Sequence, residues 1–190
     1  PEQRRLTFVN RIHGGLNGLM YTMRRVNKPI IASVCGAAAG AGVSVALSCD
    51  LVIAADDSFF TLAYSHIASS PDGGATYYLP RLVGTKKAME IALLGDRFSA
   101  AEAKELGMIN RVVPSSDIEE ETRKLAERLA QGPTKAYGSI KRLILKSSES
   151  SLEEQLQSEA ETFGVTAMAE DWVEGVSAFN QKRKARFTGR

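Results

Sequence analysis

Residues 30–55 read IIASVCGAAAGAGVSVALSCDLVIAA, and this stretch decides the fold. It opens with a β-branched run over 30–34, which is typical of a buried strand in a parallel sheet. The segment 35–42 is almost entirely Gly and Ala, and 43–48 then predicts a short buried helix. A second apolar strand is predicted over 51–55. A strand, a glycine-rich turn, a helix and another strand in this order indicate an α/β core.

The rest of the chain extends this pattern in both directions. Apolar residues at three- and four-residue steps predict an amphipathic opening helix over 6–23, which must end before Pro29. Downstream, Ser99 and Glu102 form a capping box, in which each side chain satisfies a backbone N–H of the other residue. The remaining pattern predicts strands at 58–62 and 108–113, and helices at 77–83, 86–94, 118–131, 134–146, 152–168 and 172–184.

Size and composition suit one ordinary globular domain. The chain has 190 residues, a net charge of +2, 44% hydrophobic and 24% charged residues, which excludes a disordered or fibrous class. This near-balance of charge argues against nucleic acid as a partner. Because strands alternate with helices only in the first part, we expect an α/β core over 1–113 and a helical region over 114–190.

Side chains that carry special chemistry are few. Cys35 and Cys49 form no CxxC pair or disulfide framework, and His13 and His66 lie too far apart in sequence to suggest a metal site. No segment is long and apolar enough to span a membrane, and the charged first residues are unlike a signal peptide. We therefore expect a cytoplasmic protein that has no metal and no membrane partner.

The glycine-rich turn over 36–42 is the first candidate site. Small residues there let another molecule approach the backbone, and the next helix directs its free N–H groups toward the gap. Such a place suits a phosphate or an oxygen that becomes negative during a reaction. The GxGxxG, Walker and GxSxG patterns all fail here. Tight packing of a helix against a strand is the alternative that the spacing leaves open.

Asp72 is the second candidate, within the turn sequence Pro71-Asp72-Gly73-Gly74. A carboxylate in such a turn commonly bonds its own backbone, and that structural role remains open. The neighbouring Ala, Leu, Tyr and Ile residues favour a functional role, because desolvation would make the carboxylate a stronger base.

Several longer motifs then resemble the enoyl-CoA hydratase/isomerase (crotonase) family, in the family's order and over essentially the whole chain. They are KPIIASVCG at 28–36, GAG at 40–42, ALSCDLVIA at 46–54, LPRLVG at 79–84, GDRFSAAEA at 95–103, GMINRVV at 107–113 and EGVSAF at 174–179. The segments SPDGG at 70–74 and FTG at 187–189 are most similar to the phenylacetate-pathway branch, which isomerises ring epoxides and enoyl-CoA.

The resemblance implies a fold and a shared chemistry. The fold would be an α/β spiral of ββα units with a C-terminal helical region that packs trimers, so a homotrimer or a dimer of trimers is expected. The chemistry would be stabilisation of the enolate of an acyl-CoA thioester, with the Ala41 N–H as one oxyanion donor. No cofactor is expected, because coenzyme A is part of the substrate.

The resemblance also implies which residues contact the thioester. Asp72 falls where isomerase branches place their acidic residue, and it would carry the proton. The substrate-binding residues would be Gly36, Ala37, Ala39, Gly40, Tyr64, Ile67, Gly74, Tyr77 and Leu79.

Departures from the family pattern distinguish the possible reactions. Members that hydrate a double bond carry two glutamates, and the matching positions here are Ser44 and Tyr64. One carboxylate that removes a proton and returns it elsewhere performs isomerisation, so we expect an isomerase that shifts a double bond or rearranges a ring epoxide. An enoyl-CoA hydratase is the alternative.

Two further readings remain. The family's chains begin with a strand region before the opening helix, and that region carries the second oxyanion donor and much of the adenine-binding loop. A truncated, non-catalytic subunit is therefore one alternative. Ser44 and His66 loosely imitate the Clp peptidase, which shares the fold, and this is the other.

Overall fold

A computed structural model describes all residues, 1–190. The chain forms two compact units. Unit 1 comprises Pro1–Arg24 and Ile30–Thr122, and unit 2 comprises Arg25–Pro29 and Arg123–Arg190. The predicted division after residue 113 stays a prediction.

Unit 1 contains two three-stranded sheets. The strands are β1 (Ile31–Val34), β2 (Ala37–Ala39), β3 (Leu51–Ala55), β4 (Phe59–Thr61), β5 (Phe98–Ser99) and β6 (Arg111–Val113). The first sheet has the order β1-β3-β6 and is parallel throughout. The second has the order β2-β4-β5, in which β2 and β4 are parallel and β5 is antiparallel to β4.

Helices make up most of the remaining chain. They are α1 (Glu2–Arg11), α2 (Asn17–Arg25), α3 (Ala41–Ser48), α4 (Ala75–Leu94), α5 (Ala100–Glu105), α6 (Ile118–Ala130), α7 (Thr134–Ser147), α8 (Leu152–Thr166) and α9 (Glu170–Asn180). A π-helical turn, Ile12–Leu16, joins α1 to α2, and a 3₁₀ turn, Tyr64–Ile67, precedes α4. None of these helices has the length and hydropathy that a membrane crossing requires.

A ββα unit occurs twice in succession in unit 1. β1 enters the first sheet, β2 enters the second, and α3 follows; β3, β4 and α4 repeat the order. Leu51 pairs with Ile31, 20 residues earlier, and Phe59 pairs with Ala37, 22 residues earlier. The predicted α/β class and its ββα units are confirmed.

The core of unit 1 lies between these repeats and α4. Its largest fully buried apolar side chains are Phe60, Leu62, Leu79 and Val43, whereas Ile53 packs in a second, smaller cluster with Ala55 and Ile118. The Phe60 ring stacks on Phe98 with centroids 5.8 Å apart. This pair joins β4 to β5 within the second sheet. Burying one such side chain stabilises the fold by about 1.5–3 kcal/mol.

The structure contains two strands that the sequence pattern did not predict. β2 consists of three alanines and β5 of two residues, so neither shows the β-branched alternation from which strands are recognised. The predicted strand over 108–113 is shorter, because Asn110 pairs with β3 partly through its side chain. The Val52 N–H donates to Asn110 Oδ1 at 2.7 Å, and the Asn110 N–H donates to Val52 O at 2.9 Å.

The opening helix also differs from its prediction. It is interrupted by the π-helical turn, which contains Gly14 and Gly15, and α1 buries none of its residues. Met20 and Met23 on α2 are buried, whereas Leu6 and Val9 are exposed. Periodic apolar residues therefore predicted the helix but not which part of it enters the core.

Downstream, the predicted break at Gly84 is confirmed by a non-helical φ of 76° and ψ of 158° within α4.

Unit 2 is helical, and a side chain of α9 holds the last residues of the chain in place. The buried Asp171 carboxylate accepts the backbone N–H groups of Thr188 and Gly189 at 2.7 and 2.9 Å. The last helix starts earlier and ends earlier than predicted, at Glu170 and Asn180. An acidic residue in the first turn suits the positive end of the helix, which explains the earlier start.

The predicted capping box at α5 is confirmed, and it allows a first test. The Glu102 N–H donates to Ser99 Oγ at 3.2 Å, and the Ser99 N–H donates to Glu102 Oε2 at 2.7 Å. We expect Ser99→Ala to lower the free energy of unfolding by about 1 kcal/mol, because an N-cap side chain is lost. Urea unfolding measures this. Ser148→Ala, at an exposed serine that caps no helix N-terminus, is the control, and equal effects of the two changes would contradict the assignment.

Candidate functional site

The glycine-rich turn places free backbone N–H groups at the start of α3. Gly40 has a φ of 52°, a value that favours glycine, and its N–H donates to Thr61 O at 2.9 Å. The N–H groups of Val43 and Ser44 bond to Gly40 O, whereas those of Ala41 and Gly42 have no acceptor within the chain. Two donors at the positive end of a helix can therefore stabilise an anion.

Tyr64 lies beside this turn. It begins the 3₁₀ turn, which is flanked by Ala63 and Ala68 in the left-handed region at φ 49° and 52°. A Cβ built on Gly40 would lie 3.7 Å from Tyr64 Cζ and from its hydroxyl oxygen. The Tyr64 side chain is 8% exposed, so the ring is held against the backbone that precedes Ala41.

Asp72 is bonded to Tyr64 through its side chain. The Tyr64 hydroxyl donates to Asp72 Oδ1 at 2.6 Å, which is typical of a hydroxyl–carboxylate hydrogen bond. Asp72 is half-buried, and its Oδ2 has no hydrogen-bond partner within the chain and is not fully enclosed by protein atoms. One carboxylate oxygen is thus occupied and the other is available.

The turn that carries Asp72 lies directly against α3. The Ser44 hydroxyl donates to the backbone carbonyl of Asp72 at 2.8 Å. Gly73 has a φ of 58°, and a Cβ at Gly73 would lie 2.9 Å from Ser44 Cβ and 3.0 Å from Leu16 Cδ2. No side chain fits at Gly73, so this glycine permits the close approach.

The ionisation of Tyr64 reflects this environment. Burial raises the pKa of Tyr64 to about 12, and the hydrogen bond to Asp72 and the charge of its carboxylate add to the increase. The Asp72 backbone and the Ser44 side chain act in the opposite direction. The phenol therefore keeps its proton at neutral pH and acts as a hydrogen-bond donor.

The structure brings together some of the predicted site residues. Gly40, Ala41, Tyr64 and Asp72 form one connected group; Gly36, Ala37 and Ala39 lie on the strand and turn that lead into it, and Gly74 follows Asp72 directly. Ile67 is 75% exposed, and Leu79 is 2% exposed within the core. Neither side chain is hydrogen-bonded to Asp72. The assigned roles of all these residues stay predictions.

Tyr77 has partners that the sequence did not reveal. The Arg81 guanidinium lies 3.7 Å from the Tyr77 ring centroid, and Arg24 lies 5.4 Å from it. Tyr78 meets the Tyr77 ring edge-on at 5.2 Å. Arg24 belongs to α2, 53 residues earlier, so no local pattern could predict this contact. Leu16, which packs on Gly73, was missed for the same reason.

The arrangement does not resemble a peptidase site. The Ser44 hydroxyl is fully buried and donates to Asp72 O, whereas His66 Nε2 lies 3.2 Å from Leu94 O. A nucleophilic serine must be bonded to its base and reachable by substrate. Neither condition holds for Ser44 and His66.

The geometry suits proton transfer next to a developing negative charge. A half-buried carboxylate with one free oxygen can remove a proton, and backbone N–H groups can hold an oxyanion. No group of three or more His, Cys, Asp or Glu side chains in the described chain is placed to hold a metal ion.

Comparison with known proteins gives a consistent result. The sequence profile of the family described as enoyl-CoA hydratase/isomerase matches residues 4–190. A probable enoyl-CoA hydratase of Rhodobacter capsulatus is 42% identical over 162 residues, which cover 85% of this chain and 63% of that protein. The 1,2-epoxyphenylacetyl-CoA isomerase of Escherichia coli K12 is 41% identical over 174 residues, covering 92% of this chain and 66% of that protein.

A solved structure shows the same fold. The crystal structure of an enoyl-CoA hydratase from Polaromonas sp. JS666 matches with a TM-score of 0.90 and 36% identity, covering 98% of this chain and 76% of that one. The fold is therefore that of the crotonases, as predicted. The chain spans slightly less than two thirds of the length of the two curated relatives.

The raised pKa of Tyr64 provides a second test. A tyrosine with a pKa near 12 in the folded state and 10.0 otherwise favours folding below about pH 10, and this stability is lost as the pH rises toward 12. Asp72→Asn should lower the pKa of Tyr64 toward 10, because the carboxylate charge disappears while burial remains. Phenolate absorbance against pH measures it, with Tyr64→Phe identifying the signal. An unchanged titration in Asp72→Asn would contradict the contact.

Proposed function

The chain belongs to the enoyl-CoA hydratase/isomerase family, and from this premise we propose that it is an isomerase that shifts a double bond in an acyl-CoA thioester. Asp72 carries the proton, and the Ala41 N–H stabilises the enolate oxygen. The same apparatus would serve the rearrangement of a ring epoxide, which is the reaction named for the Escherichia coli relative.

One observation carries this proposal: Tyr64 contacts both halves of the site. Its ring lies beside Gly40, the residue before Ala41, and its hydroxyl bonds Asp72 at 2.6 Å. The carboxylate and the free amides at the start of α3 are therefore both close to the Tyr64 side chain. A thioester placed there would have a base on one side and an oxyanion donor on the other.

In the first step, Asp72 Oδ2 takes a proton from C2 of a 3-enoyl-CoA. The C–H electron pair forms the C1–C2 double bond of an enolate, and the thioester oxygen becomes negative. The Ala41 N–H donates to that oxygen. A single oxyanion donor of this kind contributes about 10²–10³-fold to the rate.

In the second step, the same carboxyl group returns the proton to C4. The electrons that leave the oxygen re-form the carbonyl, and the double bond now lies between C2 and C3. No atom is gained or lost, so neither an oxidant nor a cofactor is needed beyond the coenzyme A of the substrate.

The side chains of Ser44 and Tyr64 favour isomerisation over hydration. Hydration requires a base for water and an acid for the carbon, and the resemblance places these at Ser44 and Tyr64. Ser44 is fully buried and donates to Asp72 O, and Tyr64 is neutral with a pKa of about 12. Neither side chain can activate water at neutral pH.

An apolar acyl group is consistent with the surroundings. Leu62, Ala75 and Leu79 line a cavity of about 120 Å³ together with alanines from the second half of α4. Leu62 lies two residues before Tyr64, and Ala75 three residues after Asp72. On this proposal, the buried Leu79 contacts the acyl group from the wall of this cavity.

The third test is Asp72→Asn. We expect the turnover of a 3-enoyl-CoA to a 2-enoyl-CoA to fall about 10²–10⁴-fold, the usual contribution of a general base, while substrate binding persists. Chromatography of the acyl-CoA products measures both product and rate. Asp57→Asn removes an exposed carboxylate elsewhere in unit 1 and should leave the rate unchanged.

Two outcomes would overturn the assignment. Full turnover by Asp72→Asn would remove its role as proton carrier. Accumulation of a 3-hydroxyacyl-CoA from a 2-enoyl-CoA would show that the alternative, an enoyl-CoA hydratase, is correct.

We also propose that the chain assembles as a homotrimer through unit 2. Several large apolar side chains of this unit are more than half exposed: Phe163, Val165, Met168, Val173 and Phe179. An apolar cavity of about 330 Å³ lies beside Trp172, Val176 and Phe179. Exposed apolar surface of this extent usually marks a protein contact.

The fourth test concerns Phe179, which is 84% exposed. Phe179→Asp should convert trimers to monomers, because a charge cannot be buried without a partner. Light scattering measures the mass in solution. Asn180→Asp introduces the same charge one residue later and should leave the trimer intact. A monomeric parent chain, or a trimer unaffected by Phe179→Asp, would contradict the proposal.

A further inference from the structure

The hydroxyl of Tyr64 makes a contact that the proposed reaction does not by itself require. It donates to Asp72 Oδ1 at 2.6 Å, while Oδ2 has no partner in the chain. The two oxygens of one carboxylate are therefore unequal before any substrate binds. A freely rotating carboxylate would present either oxygen to the substrate.

The backbone of each partner, Tyr64 and Asp72, is held in place by a further hydrogen bond to its carbonyl oxygen. The Ser69 N–H donates to Tyr64 O at 3.0 Å and closes the turn that holds the ring. The left-handed Ala63 and Ala68 on either side are costly conformations, which persist only where the surrounding structure demands them. On the other side, Ser44 Oγ holds the carbonyl of Asp72 at 2.8 Å.

We propose that Tyr64 is the positioning residue of Asp72, holding Oδ1 so that Oδ2 alone carries the proton from one carbon to the other. This inference rests on the proposed isomerisation. It assigns Tyr64 a role beyond substrate contact: the phenol fixes the rotation of the carboxylate and keeps its position relative to the turn at Gly40.

A role for Tyr64 as the acid is less consistent with the geometry. Its proton points to Asp72 Oδ1 and not to an open position. With a pKa of about 12, the phenol loses its proton with difficulty at neutral pH. Because a neutral donor is bonded to a carboxylate, the proton that moves in the reaction is the one that Asp72 takes from the substrate.

If only Asp72 Oδ2 exchanges a proton with the substrate, the path of that proton is restricted. If Oδ2 removes the proton and Oδ1 is occupied, the carboxyl group does not rotate, and the proton stays on Oδ2 until it is transferred. The proton is then delivered to the second carbon from the same side. In deuterated water, the product should retain part of the hydrogen that the substrate carried.

Tyr64→Phe tests the inference, because it removes only the hydroxyl and leaves the ring against Gly40. We expect kcat to fall about 10–100-fold with KM changed less than about 2-fold, since misplacement of a reacting group affects the chemical step. In deuterated water, we expect the product of the variant to contain more solvent deuterium than that of the parent chain.

Tyr137→Phe is the matched control, because it removes one hydroxyl from a half-buried tyrosine in unit 2. It should change neither kcat nor deuterium content. Thermal unfolding of both variants separates loss of fold from loss of positioning. If Tyr64→Phe is folded and keeps the kcat and deuterium content of the parent, the inference is overturned.

Failure of the proposed function is distinguishable from failure of this inference. If the parent chain converts 3-enoyl-CoA and Asp72→Asn does not, while Tyr64→Phe is as active as the parent, only the positioning role is wrong. If the parent chain itself gives no 2-enoyl-CoA, the isomerisation is wrong, and the positioning role is overturned with it.

Discussion

The site depends on the close approach of two pieces of backbone. Gly73 lies so near Ser44 on α3 that a Cβ at position 73 would stand 2.9 Å from the serine Cβ. This approach lets Ser44 Oγ reach the carbonyl of Asp72, and it brings the Asp72 carboxylate to Tyr64. Because the left-handed φ and the lack of space both require glycine at 73, the position of the carboxylate follows from one missing side chain.

Much of this could be predicted from the sequence, for physical reasons that differ by element. The strands at 31–34 and 51–55 are apolar and β-branched, and the capping box at Ser99 is a local hydrogen-bonding pattern, so local sequence determines them. β2 is three alanines, whose strand conformation comes from pairing with β4 and not from propensity. Such tertiary effects leave no trace in a window of neighbouring residues.

The candidate site divides in the same way. The glycine-rich turn and Asp72 were recognisable, because each carries unusual residues within a few positions. The bond from Tyr64 to Asp72 spans only eight residues, yet it depends on the left-handed Ala63 and Ala68, which no propensity predicts. The packing of Leu16 on Gly73 and of Arg24 on Tyr77 joins segments more than 50 residues apart. These contacts are set by the fold as a whole.

The residue at position 44 and the loop that covers it form a single constraint. A long acidic side chain at 44 would have to occupy the space that Gly73 and the Asp72 carbonyl now fill. It would also place a charge where Ser44 has no exposed surface, at a cost of several kcal/mol unless it were paired. A short hydroxyl avoids both penalties and holds the loop in place. The short hydroxyl at position 44 and the close approach of the turn that carries Asp72 therefore depend on each other, and together they fix the place of the Asp72 carboxylate beside α3.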